Sequence, residues 1–165
     1  MTKSIRKTFA AACVLALLGA SSAQATTATG SFQVTATVLG TCTISGVTLG
    51  FGNYDPTSGT DTDGQTQLTV TCTKGTIVSS VQLDNGANAS SGQRRMKQGA
   101  SNYLNYNLFS DSGRTTAWNT TGSPAGFTSA GPSTPNTLQV YGRIPATQDV
   151  ISGAYSDTVV ATVNF

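Results

Sequence analysis

Apolar and polar residues alternate with a period of two along most of this chain. Phe32, Val34, Ala36 and Val38 alternate with Gln33, Thr35 and Thr37. Leu68, Val70 and Cys72 alternate with Thr69 and Thr71, and Val81 and Leu83 flank Gln82. Leu104, Tyr106 and Leu108 alternate with Asn105 and Asn107, while Leu138, Val140 and Ile144 share one parity. Val159, Ala161, Val163 and Phe165 close the chain on another alternating run. Each run has one apolar face, the mark of a half-buried strand. Turn-forming residues punctuate the runs at Asn53–Gly64, Lys74-Gly75, Asp84-Asn85-Gly86 and Ser152-Gly153. From Thr26 onward no long stretch follows the 3.6 period of a helix. Several short strands with such punctuation predict an all-β chain built as a β-sandwich.

Two regions break the simple pattern. Asp111–Asn136 carries four glycines and three prolines and is too long for an ordinary connection. Trp118 is the residue expected to pin it to the body, and Ala125–Thr128 is a candidate minor strand. At the ends, Ser31–Val38 is the cleanest alternating strand in the sequence, preceded by the small, polar Thr26–Gly30. Such a strand pairs within its own domain or leaves it. Asp157–Phe165 is strand-like up to its last residue, so no later strand is expected to cover that edge. A missing last strand in a sandwich exposes a core groove and an unpaired edge, both unfavourable in water.

The segment before Thr26 reads as an address. Lys3, Arg6 and Lys7 precede the apolar run Phe9–Ala20, which is too short to span a bilayer. Ala23-Gln24-Ala25 is a small-x-small cleavage site, so Met1–Ala25 is expected to be a secretory signal peptide. Without it the chain runs from Thr26 to Phe165, with six Lys+Arg against seven Asp. The formal charge moves from +2 to −1, and the apparent basicity goes with the leader. No nucleic-acid footprint is left. The cluster Arg94, Arg95 and Lys97 reads as a solvated turn or an edge strand.

Composition narrows the chemistry. The chain has 28 Thr and 18 Gly, only 10% charged residues, and neither His nor Glu. Catalytic schemes on histidine, His-ligated zinc and acid/base pairs on Glu are all excluded. The seven Asp fall mostly in expected turns, where Asp is a local turn former. Asp61-Thr62-Asp63-Gly64 resembles part of a calcium loop, but Gly59 and Val70 stand where ligands are needed. No enzyme, cofactor, metal site or small-molecule substrate is expected. With Cys13 inside the leader, Cys42 and Cys72 remain in an oxidising compartment, and one disulfide is expected.

Several segments together resemble a known family. They are Gly40-Thr41-Cys42-Thr43, Leu49-Gly50-Phe51-Gly52-Asn53-Tyr54-Asp55 and Leu68-Thr69-Val70-Thr71-Cys72-Thr73. Leu104 through Asp111 follows, then Arg114 with Trp118, and Val140-Tyr141-Gly142-Arg143-Ile144-Pro145. The most specific is the ending, Gly153 through Val163. In this order and spacing the chain resembles a spore coat protein U domain, the fold of Csu-type (archaic) chaperone–usher pilus subunits.

The resemblance implies an incomplete immunoglobulin-like β-sandwich lacking its last strand. A periplasmic chaperone lends that strand, and in the fibre the next subunit's N-terminal segment replaces it, a form of β-augmentation. Carried onto this chain, residues 26–39 are the donor extension and 40–165 the sandwich domain. Phe32, Val34, Ala36 and Val38 are the buried studs, and Val159, Ala161, Val163 and Phe165 line the acceptor groove that also binds the chaperone. Cys42–Cys72 ties the strand after the donor segment to its neighbour. The implied partners are the chaperone, an outer-membrane usher and neighbouring subunits, and the implied destination is a surface pilus serving adhesion and biofilm formation. A secreted or spore-coat structural protein with the same domain is the alternative. A carbohydrate-binding tip is a weaker one, because Thr26–Phe165 leaves no room for a receptor-binding domain in front. From the pattern alone, a first strand paired in cis remains open for Phe32–Val38.

Overall fold

The computed structural model describes residues 24–121 and 124–165, so the expected leader lies outside the described residues except for Gln24 and Ala25. Thr37–Phe165 forms one compact unit whose elements are all strands. They are β1 (Cys42–Gly46), β2 (Thr62–Cys72), β3 (Ile77–Val78), β4 (Ser80–Leu83), β5 (Arg94–Gln98), β6 (Asn102–Phe109), β7 (Phe127–Thr128), β8 (Asn136–Ile144) and β9 (Ala161–Asn164).

The larger sheet has the order β1-β2-β8-β6-β5 and is antiparallel throughout. Its register follows the alternation. Leu68 sits opposite Leu138, and Thr66 opposite Val140, so the apolar parities of β2 and β8 fall on one face. Two small antiparallel pairs, β3–β7 and β4–β9, make the opposing layer. Val70, Cys72, Leu104, Tyr106, Leu108, Val140 and Ile144 from the large sheet meet Val78, Val81 and Leu83 from the small pairs in one buried cluster. This is the expected sandwich. Strand parity places the apolar face of each layer inward and leaves Thr, Gln and Asn outward.

Trp118 holds the long 111–136 connection to both layers. It is fully buried. Its main-chain N–H donates to Leu108 O at 2.9 Å, and its indole N–H donates to Val81 O at 2.7 Å. Ala125–Thr128 contributes β7, in a shorter form than expected.

Four expectations need correction. Ser31–Val38 forms no strand. A strand exists only when another strand takes up its N–H and C=O groups, and this alternating segment has no ladder. The last strand is Ala161–Asn164 rather than Asp157–Phe165. Before it, the Asp84 carboxylate accepts from Val160 N at 2.9 Å, so a side chain takes a bond that the strand ladder would otherwise hold. The turn read as Asn53–Gly64 ends early, because β2 starts at Thr62, opposite Ile144. Arg94 is not solvated. It does lie on the terminal strand of its sheet, β5, but it is 5% exposed. Its guanidinium donates to the carbonyls of Leu83, Asp84 and Trp118, and burial pulls its pKa below the ordinary value.

Candidate functional site: an open trench between two strand edges

β1 is the terminal strand of the large sheet, and among the described residues β9 has β4 as its sole partner. Toward the Gly46 end of β1 and the Ala161 end of β9 the sandwich is open. A groove of about 670 Å³ runs there, walled by Ile44, Leu49 and Leu68 on one side and Tyr155, Val159 and Ala161 on the other. Leu83, Tyr106, Leu108 and Val140, all core residues, form its floor. A second lobe of about 850 Å³ continues past Phe51 toward Leu104, Ile144, Val150 and Ile151. The trench is therefore an opening onto the hydrophobic core, flanked by two rows of unpaired backbone groups. Such an opening is unfavourable until covered.

The wall carrying β9 is held by carboxylates. Asp157 accepts from the Tyr106 hydroxyl at 2.7 Å, from Asn88 N at 3.1 Å and from Asn88 Nδ2 at 2.9 Å. Asp84 accepts from both Gly86 N and Val160 N at 2.9 Å. Main-chain bonds Asp84 N to Val160 O and Ala87 N to Thr158 O complete the attachment. Just upstream, Lys97 and Ser156 exchange a pair of main-chain bonds, so the segment crosses from the edge of β5 to the side of β4. Burial, reinforced by the bond to Asp157, pushes the Tyr106 phenol well above its ordinary pKa. Gly86 is required by two conditions: its φ is +83°, and a Cβ there would collide with the Asp157 carboxylate.

The other wall is held by the Cys42–Cys72 disulfide, which joins directly paired residues of β1 and β2, with Cα atoms 4.1 Å apart. Below it lies the segment Leu49-Gly50-Phe51. Gly64 and Gly142 are opposite one another in the β2–β8 register. A Cβ at Gly142 would lie 2.7 Å from Phe51 Cζ, and one at Gly64 3.1 Å from Phe51 Cδ1. The glycine pair is thus a bare seat on which Phe51 lies, its ring edge-on to Tyr106 with centroids 6.2 Å apart. Tyr54 anchors the same loop by donating to Pro145 O at 3.1 Å and accepting from Gln148 N at 2.8 Å.

The residues expected to line the acceptor groove divide. Val159 and Ala161 line the trench. Val163 packs half-buried against the core, opposite Val81 in β4. Phe165 is 59% exposed and lies outside the trench lining. In the expected donor segment, Phe32, Val34 and Val38 are 86%, 80% and 81% exposed, and Ala36 is exposed as well. Sequence reasoning missed the opposite wall, Ile44–Phe51, together with Met96 and Tyr155. The signal was present: glycine within a strand run marks close approach of another segment, and Gly64 and Gly142 are two such positions.

Four further carboxylates have structural roles. Asp63 accepts from Arg143 at 2.8 and 3.0 Å and pairs with Arg114 at 3.2 Å. The bond from Arg143 holds its carboxyl below the ordinary range. Asp61 pairs with Arg143 at 3.3 Å. Asp55 and Asp111 accept from the hydroxyls and main-chain N–H groups of nearby threonines, as turn-forming aspartates do. Nothing in this set converges on a reacting atom.

A model of the Spore Coat Protein U domain matches residues 28–162. "Protein U" of Myxococcus xanthus is 41% identical over 167 residues, covering 90% of this chain and 91% of that protein. A chain in the crystal structure of the CsuC–CsuE chaperone–tip adhesion subunit pre-assembly complex, from the archaic chaperone–usher Csu pili of Acinetobacter baumannii, aligns with a TM-score of 0.57 at 28% identity. That alignment covers 78% of this chain, which spans 40% of the solved one.

Proposed function

This chain belongs to the Spore Coat Protein U domain family, and from that premise we propose that it is a pilus subunit polymerised by donor-strand exchange. At the coarser level it is a structural protein of pilus or spore-coat type, with the fold of a pilin-type subunit. In the proposed cycle a periplasmic chaperone first covers the trench. An outer-membrane usher then exchanges that cover for residues 31–38 of another copy. The resulting surface fibre serves adhesion and biofilm formation.

One observation carries this reading. A trench open to the core lies between two unpaired edges, and the same chain carries an exposed segment, Phe32–Val38, with an apolar residue at every second position. A strand laid along the open part of the trench would pair with the free backbone groups there and bury its studs. Burial of Phe32, Val34 and Val38, with a small addition from Ala36, contributes about 5–9 kcal/mol before any ladder bond. That is comparable to the stability of a whole domain.

Deleting residues 26–38 tests the reading. The shortened chain, co-expressed with its chaperone, is expected to form a soluble one-to-one complex and no fibres. Fibres of ordinary length from that variant would refute the donor assignment. The match to the Spore Coat Protein U domain, with the likeness to "Protein U" over nearly its whole length, favours a second reading, a spore-coat structural protein using the same domain outside a pilus. Recovery of the chain from a coat layer with no chaperone complex would support it.

A further inference from the structure

We propose that Phe51, seated on the Gly64–Gly142 pair, sets the register of the incoming strand by facing its one small stud, Ala36. This rests on the trench being the acceptor for residues 31–38. The backbone alone leaves the register degenerate. A one-residue slip turns the studs outward and is strongly disfavoured, but a two-residue slide keeps the same face inward and moves each stud by one place, about 6.6 Å. Val34 and Val38 are alike in shape, so smooth walls would discriminate weakly between such registers.

The trench is not smooth. Its two lobes share Thr48, Leu49, Phe51, Met96 and Tyr155 as a common boundary, and Phe51 is the bulkiest side chain on the wall that carries β1. The ring cannot sink further toward the sheet. It already occupies the space left by the two missing Cβ atoms, 2.7 Å from where a Gly142 Cβ would stand. On the side of Tyr106 it has no room to swing, because the two rings meet there in a T-shaped contact and the Tyr106 hydroxyl is held by Asp157. A strand crossing this point needs a short side chain over the ring and longer ones on either side, where the lobes open. Among the four studs, Ala36 alone is short, and it is flanked by Val34 and Val38. With Ala36 over Phe51, both valines enter a lobe. A slide of two residues in either direction sets a valine against the ring.

The test uses the full chain refolded with a fluorescent peptide of residues 30–39, with capture read by anisotropy. The Ala36→Leu peptide is expected to bind the wild-type chain at least about tenfold more weakly than the natural peptide, because overpacking is unfavourable. With the Phe51→Ala chain the order reverses, and the Ala36→Leu peptide binds the tighter of the two. Gly142→Ala lifts the ring from its seat. That chain is expected to lose natural-peptide capture about tenfold and to regain part of it with the Ala36→Gly peptide. If Phe51→Ala fails to fold, Phe51→Val serves in its place. An Ala36→Leu penalty of equal size in the wild-type and Phe51 variants, with no rescue of Gly142→Ala, overturns the register role. Failure of the wild-type chain to capture the natural peptide instead removes the acceptor reading itself.

Discussion

The Tyr106 hydroxyl donates to the Asp157 carboxylate at 2.7 Å across the floor of the trench. This bond joins the interior strand β6 to the segment leading into β9, so the core and the acceptor wall are fixed together. Tyr106→Phe leaves the ring in the core and the Asp157 oxygen without its donor. A hydrogen bond to a charged group is worth about 1.5–3 kcal/mol, and that loss is expected in urea unfolding followed by the fluorescence of Trp118, the single tryptophan.

The same bond gives an alkaline signature. Burial and Asp157 raise the native pKa of Tyr106 above its ordinary value of 10.0. The native state therefore keeps its proton where the unfolded chain releases it. This contribution is fully present below pH 10 and is lost as pH climbs toward the native value, at up to about 1.4 kcal/mol per pH unit. Urea midpoints between pH 9 and pH 11.5 are expected to fall more steeply for the wild-type chain than for Tyr106→Phe. Parallel curves would contradict the assignment.

Arg94 is the second fixed point of that wall. Its guanidinium serves three carbonyls at once, two of them in the Leu83–Asp84 corner where β4 ends and one on Trp118. Lysine has the charge but not the planar fork. Arg94→Lys is therefore expected to destabilise the chain by about 3 kcal/mol, and Arg94→Met by at least as much, because buried carbonyls lose their donors. Unfolding midpoints measure this directly, and a loss below about 0.5 kcal/mol, the range of ordinary surface substitutions, would place the side chain in solvent.

Much of the fold was legible because β2, β6 and β8 each bury one face against a common core, and that face is written as alternation in Leu68–Cys72, Leu104–Leu108 and Leu138–Ile144. The same alternation at Ser31–Val38 finds no ladder within this chain. Periodicity records which side chains suit burial, but not whether a partner strand is present to bury them. Asp157–Val160 failed for a different reason: carboxylates took bonds that a ladder would hold, and the identity of those acceptors is a tertiary fact. Arg94 looked solvated because nothing local reveals three distant carbonyls without donors. The trench was legible only in part. Val159 and Ala161 follow from the parity of the last run, but the seat of Phe51 depends on Gly64 and Gly142, which are far apart in sequence and meet only through the β2–β8 register.

The disulfide constrains the other wall. It closes a loop of about 31 residues, and in the chain-entropy description this contributes about 3–4 kcal/mol. The Cys42→Ser/Cys72→Ser variant is expected to unfold at correspondingly lower urea. It is also expected to capture the residue 30–39 peptide less well, since β1 is then held by its ladder alone. Equal capture by the oxidised and disulfide-free chains would separate the crosslink from the groove.

The central claim is that the trench of one copy is filled by residues 31–38 of another. Site-directed crosslinking tests it most directly, with Ala36→Cys on one chain and Tyr155→Cys, which lies with Phe51 at the boundary of the two lobes, on a second, isotopically distinct chain, assembled together. The account predicts that the two introduced cysteines form a disulfide between differently labelled chains in the polymer. A polymer in which no disulfide joins the two labels would contradict it.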